Sequence, residues 1–326
     1  MPWNFPFWQA FRFGIPTLMA GNTTILKHSN VVTGCALAIE DVFKEIGIEN
    51  VFKTIIAEHK ITNDLIGSDY ISGVSLTGSV SAGQKIAEGA GKNLKKFVLE
   101  LGGSDPFIVF EDADLESASK IGVQARNINT GQSCIAAKRF IIVKKVAEEF
   151  TKRFVEHTKN LQVGDPLNEH TQVGPLVRDE QRLQLELQLE DSVNSGANIL
   201  TGGKRLPRKG FFFEPTVVGD VTPDMRVANE EVFGPISPII VVNDEEEALR
   251  VANNSEFGLG ASIWTKNTDK ALEIGRRLQV GCVFINSLVK SDPRLPFGGI
   301  KKSGIGRELS VYGLKEFVNV KAISVY

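Results

Sequence analysis

The chain has 326 residues, of which 42% are hydrophobic and 23% charged, so it can bury a sizeable core and predicts two domains rather than one. A formal net charge of -2 gives no basic field for nucleic acid, and no apolar run is long enough to span a bilayer. Three widely separated cysteines indicate neither a disulfide framework nor a zinc site. We therefore expect a cytoplasmic protein whose partners are small molecules rather than nucleic acid or a membrane.

Strand and helix patterns alternate along the first hundred residues. The predicted elements are a strand over 23–27, a helix over 34–46, a strand over 73–77, a helix over 80–89 and a strand over 96–99. Alternation of this kind is typical of crossover units, in which each helix returns the chain to a parallel sheet.

The same alternation resumes at residue 107. Strands are predicted over 107–110, 140–143, 216–218, 239–242 and 261–264, and helices over 115–127, 146–161, 178–194, 245–252 and 269–278. The last residues, 317–326, alternate like a half-buried strand, which needs a sheet edge and could find one on another subunit. The pattern predicts an α/β fold with a second unit beginning near Gly102.

A cysteine lies in a loop of small and polar residues after the helix predicted over 115–127. Cys134 on this loop, with Glu100 at the end of an earlier strand, has the parts for nucleophilic acyl chemistry. A lone cysteine is more often a buried structural thiol, and Glu100 could be an ordinary surface acid. The residues alone leave these alternatives open.

A turn at Thr77, Gly78 and Ser79 joins a predicted strand to a predicted helix that contains Gly83. Backbone amides and the helix dipole at such a turn can receive a pyrophosphate. The turn lacks the glycine pattern of the standard dinucleotide fingerprint, so a plain β-to-α turn is the alternative.

Read together, seven segments resemble the motifs of one enzyme family. They are residues 2–6 (PWNFP), 20–23 with Lys27 (AGNT and K), 99–103 (LELGG), 131–134 (GQSC), 230–235 (EEVFGP), 296–299 (PFGG) and 303–308 (SGIGRE). In this order they resemble the NAD(P)-dependent aldehyde dehydrogenase superfamily along essentially the whole chain. Residues 27–29 and 289–296 look most like the succinate-semialdehyde dehydrogenase group.

The resemblance implies an aldehyde dehydrogenase-like α/β fold. It divides the chain into a partial Rossmann-type NAD(P)-binding domain over 1–101, a catalytic domain over 102–315 and a C-terminal strand of an oligomerisation sheet over 316–326. A homo-oligomer is therefore expected. The implied reaction is oxidation of an aldehyde, with succinic semialdehyde as the implied candidate, to the carboxylic acid through a cysteine thiohemiacetal and thioester.

Each catalytic residue implied by the resemblance has a chemical reason. Cys134 would attack the aldehyde carbon as a thiolate, and the Asn4 carboxamide with the Cys134 backbone amide would form an oxyanion hole. Glu100 would be the general base for the thiol or for the hydrolytic water. No metal is implied.

The resemblance also implies a cofactor site for NADP or NAD. Its expected residues are Lys27, Ser29, Gly78, Ser79, Gly102, Glu231 and Phe233. Many NAD-preferring members carry an acid where this chain has Asn30, and an uncharged residue there does not repel the 2′-phosphate of NADP.

Substrate recognition has one candidate. Arg12 matches an arginine that succinate-semialdehyde dehydrogenases use for the distal carboxylate, although the position of a second such arginine is Ile128 here. The alternative for Arg12 is a structural or surface ion pair. A family proton relay through Glu308 uses a lysine, and this chain has Phe13 at that position.

Family members carry a long segment before PWNFP, so the chain looks N-terminally truncated. An alternative to a working enzyme is therefore a catalytically inactive remnant or partner-dependent fragment. A third possibility is an esterase-like activity, because Cys134 and Glu100 suffice for ester hydrolysis without hydride transfer.

Overall fold

The computed structural model describes residues 1–326. Its strands are β1 Thr24–Lys27, β2 Phe52–Ile55, β3 Gly73–Thr77, β4 Lys96–Glu100, β5 Asp105–Val109, β6 Ala137–Val143, β7 Asn198–Thr201, β8 Thr216–Gly219, β9 Ile236–Val242, β10 Phe257–Gly258, β11 Gly260–Trp264, β12 Cys282–Ile285, β13 Ile300–Lys301 and β14 Gly304–Ile305. Its α-helices are α1 Pro6–Met19, α2 Thr33–Glu45, α3 His59–Gly67, α4 Val80–Lys92, α5 Leu115–Asn127, α6 Lys144–Lys159, α7 Asp179–Asn194, α8 Arg226–Asn229, α9 Glu245–Asn253, α10 Thr268–Arg277 and α11 Ser310–Glu316. None of these helices is both long and apolar enough to cross a membrane.

The chain forms two compact units. The first contains Met1–Leu101, Ser291–Gly299 and Ser303–Tyr326, and the second contains Gly102–Lys290 and Ile300–Lys302. One change of unit follows Leu101, and Ser291–Gly299 and Ser303–Tyr326 group with the first unit. The division into domains over 1–101, 102–315 and 316–326 stays a prediction.

Two small sheets form the first unit. Strands β1 and β2 are parallel, and α1 and α2 cover them with a core in which the rings of Phe43 and Phe52 stack at 4.5 Å between centroids. Strands β3 and β4 are also parallel, and β14 joins β4 in the antiparallel sense. Glu100 ends β4 and is paired in register with Thr77 on one side and Gly304 on the other. The backbone of this carboxylate is therefore fixed from both edges.

A seven-stranded sheet forms the centre of the second unit. Its order is β12-β11-β5-β6-β9-β8-β7, and every neighbouring pair is parallel except β7 with β8. A parallel sheet covered on both faces needs strands that are apolar at successive positions. The run from Phe107 to Phe110 satisfies this requirement, because its side chains alternate between two separate buried clusters.

The two faces of this sheet have different covers. Side chains of α5 and α6 pack on one face, where Phe140 meets Phe154 at 4.6 Å between ring centroids. Side chains of α9 and α10, including Leu249 and Ile274, pack on the other. The mixed α/β architecture with a parallel sheet confirms the predicted fold class.

Most of the predicted strands and helices are present, with boundaries shifted by a few residues. Helix α1 was not predicted, although a proline at its first position is compatible with a helix because that N–H has no intrahelical partner. Strand β2 and helix α3 were also missed. The predicted terminal strand is absent from this single chain: residues 318–326 form no strand, since no sheet edge pairs with them.

Candidate active site

The cysteine loop begins where α5 ends. A short 3-10 helix, Ile128–Gly131, contains three successive residues in the left-handed region, with φ of 50° at Asn129, 59° at Thr130 and 73° at Gly131. This conformation turns the chain sharply before β6 and leaves Cys134 partly exposed. No disulfide involves Cys134.

A fully buried arginine fixes the start of this loop. The guanidinium of Arg126, on the last turn of α5, donates to the carbonyls of Gly131 at 3.0 Å, Ala137 at 3.1 Å and Val232 at 3.0 Å, and also to that of Gly234. Burial lowers the pKa of Arg126 to about 9, so it remains a cation at neutral pH. The loop is thus tied to the segment that carries Glu231.

A buried lysine holds the other side of the loop. The ammonium of Lys138 donates to the carbonyls of Ser133 at 2.7 Å and Cys134 at 2.8 Å, and it lies 3.6 Å from a carboxylate oxygen of Glu231. The same Glu231 oxygen accepts the backbone N–H of Gly103 at 3.0 Å. One carboxylate and one ammonium therefore connect three separate chain segments.

Glu100 is a carboxylate with no hydrogen-bond partner at either oxygen. It is 1% exposed, and burial is the main reason that its pKa lies well above its usual range. The positive charges of Arg12 and Arg307 oppose that rise, and the negative charge of Glu308 adds to it. A Cβ atom at Gly298 would lie 2.7 Å from Glu100 Oε1, which explains a glycine at that position. A carboxyl group whose pKa is raised in this way keeps its proton to higher pH than an ordinary glutamate and becomes a base once it is ionised.

Asn4 precedes α1 and is oriented by a residue of that helix. The buried side chain of Gln9 donates from Nε2 to Asn4 Oδ1 at 3.1 Å. With Oδ1 engaged as an acceptor, Nδ2 is the group through which Asn4 donates. This orientation suits an oxyanion donor.

Arg12 lies in a buried ion pair with Glu308. Its Nε donates to Glu308, its Nη2 donates to Thr77 at 3.4 Å, and the guanidinium lies 4.4 Å from the ring centre of Phe297. Glu308 also accepts a hydrogen bond from Ser75 at 3.1 Å. The structure thus contains the structural pairing that was the alternative for Arg12, and its contact with a substrate stays a prediction. Phe13, at the position of the relay lysine, packs edge-on against Phe317 instead.

Four of the predicted cofactor residues lie in the first unit. Lys27 ends β1, and Ser29 follows two residues later. Gly78 and Ser79 form the turn between β3 and α4, where the Ser79 hydroxyl caps the helix by accepting the N–H of Ala82 at 3.3 Å. The turn therefore has the strand–turn–helix context that was predicted for binding a phosphate.

The remaining predicted cofactor residues lie in the second unit. A side chain at Gly102 would overlap a carboxylate oxygen of Glu231, so only glycine lets this segment approach that acid. Glu231 and Phe233 are both partly exposed. A partly exposed carboxylate can accept a hydrogen bond from a ribose hydroxyl, and a partly exposed aromatic ring can pack against a planar nicotinamide.

The residues predicted for catalysis, substrate binding and cofactor binding are divided between the two units. Asn4, Arg12 and Glu100 belong to the first unit, whereas Cys134 and Glu231 belong to the second. Within the second unit, the Cys134 loop and Glu231 are joined through Lys138.

Several residues of the site were missed from the sequence. Gln9, Arg126, Lys138 and Asp105 hold or surround the predicted residues, yet no motif singled them out. One signal was available for Lys138: it lies in a strand whose seven residues are all buried, where a charged side chain needs a specific partner.

Asp105 is a further fully buried acid near Lys138. Its Oδ1 accepts the N–H of Gly260 at 3.0 Å, and its Oδ2 has no hydrogen-bond partner. Burial raises the pKa of Asp105 to about 7, against the opposing charges of Lys138 and Arg139.

Together, these features define an α/β protein with a partly exposed cysteine on a loop held by buried cations, a buried carboxylate without a hydrogen-bond partner, and a strand–turn–helix segment of the kind that can receive a phosphate. The comparisons narrow this class. The model of the Aldehyde dehydrogenase family matches residues 1–323. The chain belongs to the aldehyde dehydrogenase family, as the sequence motifs predicted.

Individual relatives agree with that assignment. The chain is 48% identical over 324 residues to a probable succinate-semialdehyde dehydrogenase (NADP(+)) of Synechocystis, a match that covers 99% of this chain and 71% of the relative. It is equally 48% identical to the succinate semialdehyde dehydrogenase (NAD(P)+) Sad of Escherichia coli, of which it covers 70%. A solved succinic semialdehyde dehydrogenase of Streptococcus pyogenes, in complex with NADP+, superposes with a TM-score of 0.97 at 38% identity, with 99% of this chain and 71% of that one covered.

Proposed function

We propose that the protein oxidises an aldehyde to the carboxylic acid with NADP or NAD, and that succinic semialdehyde is its substrate. The observation that carries the proposal is the cysteine loop, which two buried cations hold and on which Cys134 is partly exposed, in a chain of the aldehyde dehydrogenase family. The substrate and cofactors are suggested by the names of the relatives.

Cys134 is the proposed nucleophile. Its thiolate attacks the carbonyl carbon, and the carbonyl oxygen becomes an alkoxide that needs hydrogen-bond donors. Nδ2 of Asn4 and the backbone N–H of Cys134 are the proposed donors, and Gln9 keeps the Asn4 amide in the donating orientation. Loss of hydride from this adduct leaves an acyl-thioester on Cys134.

Glu100 is the proposed general base. Its raised pKa means that the carboxyl holds a proton at low pH and becomes a base as pH rises toward that value. In the ionised form it takes a proton from the water that attacks the thioester, and the acid is released with the Cys134 thiolate restored. We therefore expect the hydrolytic step to accelerate as pH increases.

The cofactor, when bound, accepts the hydride. Lys27, Ser29 and Glu231 are proposed to hold its riboses, with Gly78 and Ser79 at the pyrophosphate, Gly102 admitting the close approach and Phe233 against the nicotinamide. Asn30 is exposed and uncharged, which leaves room for the extra phosphate of NADP.

Arg12 is proposed to meet the distal carboxylate of the substrate. A guanidinium recognises a carboxylate through paired N–H donors, and Arg12 stands where the resemblance to succinate-semialdehyde dehydrogenases implies such a contact. The protein is further proposed to be a homo-oligomer, because residues 319–326 are exposed and carry large apolar side chains at Val320, Ile323 and Val325.

The experiment is a spectrophotometric assay of reduced cofactor with the purified chain. Succinic semialdehyde and an uncharged aldehyde of similar length are offered with NADP and with NAD, in wild type and in Cys134→Ala. We expect wild type to form NADPH or NADH and the variant to form none. No turnover by a cooperatively folding wild type, or full turnover by the variant, would contradict the proposal. Ester hydrolysis without cofactor would instead indicate the esterase alternative.

A further inference from the structure

Lys138 is the second residue of β6, and its side chain is 1% exposed. Burying an ammonium among apolar strands is costly unless each of its donors has a partner. Two of its three donors are directed to the carbonyls of Ser133 and Cys134, and the carboxylate of Glu231 lies 3.6 Å away. The lysine therefore has two hydrogen-bond acceptors and one facing carboxylate, all of them on segments proposed to take part in the chemistry.

The partners of Lys138 belong to segments that are distant in sequence. Ser133 and Cys134 are on the nucleophile loop, and Glu231 lies almost a hundred positions later. Glu231 is held in addition by the N–H of Gly103, and a Cβ atom at Gly103 would lie 2.6 Å from the carbonyl oxygen of Cys134. The loop, the glycine segment and the acid are thus packed around one ammonium.

We propose that Lys138 is a positioning residue that couples the Cys134 loop to Glu231, a role that rests on the function proposed above. One buried cation sets the distance between the nucleophile backbone and the carboxylate proposed for the cofactor ribose. Removing this cation releases the Cys134 backbone and the Glu231 carboxylate at once. The ionisation of the Cys134 thiol and the affinity for the cofactor should therefore change together.

The charge of the ammonium should influence the pH at which the Cys134 thiol ionises, and this pH can be measured. The charged groups that face Lys138 are Glu231, Asp105, Arg126 and the Cys134 thiolate. Burial is the main reason that the pKa of Lys138 is lowered; Arg126 adds to this effect, and the two acids and the thiolate oppose it. Attraction between ammonium and thiolate is mutual, so Lys138 favours ionisation of Cys134. Removing the ammonium should therefore make the thiol ionise at higher pH.

The test compares Lys138→Met, which keeps the approximate length of the side chain, with Lys138→Arg, which keeps the positive charge. Lys145→Met is the matched control, because Lys145 is exposed on α6 and pairs with Glu111. Alkylation of Cys134 by iodoacetamide is followed against pH without substrate or cofactor, and the modified peptide is identified by mass to separate it from Cys35 and Cys282. Dissociation of NADPH is measured by fluorescence.

For Lys138→Met we expect the alkylation midpoint to rise by about one pH unit and NADPH binding to weaken by about tenfold. Lys138→Arg should keep the midpoint of wild type, and Lys145→Met should change neither quantity. A Lys138→Met protein that melts cooperatively with an unchanged midpoint and unchanged NADPH affinity would overturn the proposal.

A second variant covers the case in which Lys138→Met does not fold. Glu231→Gln removes the facing negative charge from a partly exposed position, so the alkylation midpoint should fall; an unchanged midpoint would count against the coupling. Because alkylation needs no turnover, a shifted midpoint in a chain that oxidises no aldehyde would reject the proposed function and leave the role of Lys138 standing.

Discussion

Charge is buried at four side chains in the neighbourhood of Cys134. Burial lowers the pKa of Arg126 to about 9 and of Arg139 to about 10, lowers that of Lys138 and raises that of Asp105 to about 7. The three bases donate to backbone carbonyls, which fixes loops that apolar packing alone would leave adjustable. These hydrogen bonds offset the free-energy cost of removing the charged groups from water.

Burial of Asp105 predicts that the stability of the fold depends on pH. Its pKa is 3.8 when unperturbed and about 7 in the fold, so between these values the folded chain binds more protons than the unfolded chain and stability falls as pH rises. Asp105→Asn removes this loss and keeps the oxygen that accepts the Gly260 N–H. Relative to wild type, we expect the variant to gain up to about 4 kcal/mol of unfolding free energy between pH 4 and pH 8.

Chemical denaturation across this pH range measures the effect. Asp114→Asn is the control, since Asp114 is an exposed helix cap whose pKa is lowered by bonds from Ser117, and its difference from wild type should be flat above pH 5. An Asp105→Asn difference that is equally flat would show that Asp105 is ionised throughout.

Arg12 allows its two roles to be separated. If it meets the distal carboxylate of succinic semialdehyde, Arg12→Met should raise KM for that substrate by about tenfold or more and leave KM for an uncharged aldehyde of similar length unchanged. If the ion pair with Glu308 is its whole role, KM should change alike for both aldehydes. The melting temperature should fall under either role, because Arg12→Met removes the buried pair. The ratio of the two KM changes, measured on the same preparation, decides between them.

At the scale of elements, the cysteine loop depends on a glycine. Gly131 has φ of 73°, and a Cβ there would overlap the carbonyl of Gly234 and lie 2.8 Å from Arg126 Nη2. Gly47 has nearly the same conformation, with φ of 76°, but nothing lies within 4 Å of its Cβ position. A comparison of alanine substitutions at the two positions therefore distinguishes the cost of backbone strain from the cost of steric overlap.

We expect Gly47→Ala to cost about 1 kcal/mol of stability, the strain of a left-handed residue. Gly131→Ala should cost more than about 2 kcal/mol and also slow alkylation of Cys134, because the loop must move away from Arg126. Thermal melts and alkylation rates of both variants test this. Equal losses in the two variants would mean that the loop accommodates the methyl group without displacement.

The strands and helices that the sequence predicted are those with strong local patterns. Residues 107–110 and 115–127 could be predicted because burial on both faces and a capped amphipathic helix leave clear signatures. Helix α1 was missed because its prolines read as breaks, although Pro6 occupies the one position that tolerates it. Motifs identified Cys134 and Glu231 but not Lys138, because a partner for a buried lysine is set by tertiary contacts and leaves no local pattern.

Residues 318–326, at the C-terminus, pair with no strand in the single chain. Val320 is 97% exposed and Ile323 84%, and the alternating pattern of this segment predicts a strand that another copy would complete. We expect the double variant Ile323→Lys/Val325→Lys to lower the oligomeric state measured by light scattering, while Ser324→Lys, which faces the other way in a strand, should have a smaller effect. An unchanged mass in the double variant would contradict a role for the tail in assembly.

Cys134 is proposed to carry the acyl group during aldehyde oxidation. The most direct measurement is rapid acid quenching of the chain mixed with NADP and succinic semialdehyde, followed by mass analysis of the peptide that contains Cys134. We expect an added succinyl mass on Cys134 that requires cofactor, disappears on hydrolysis and is absent in Cys134→Ala. Turnover with no such adduct under conditions that slow hydrolysis, or turnover that persists in Cys134→Ala, would contradict it.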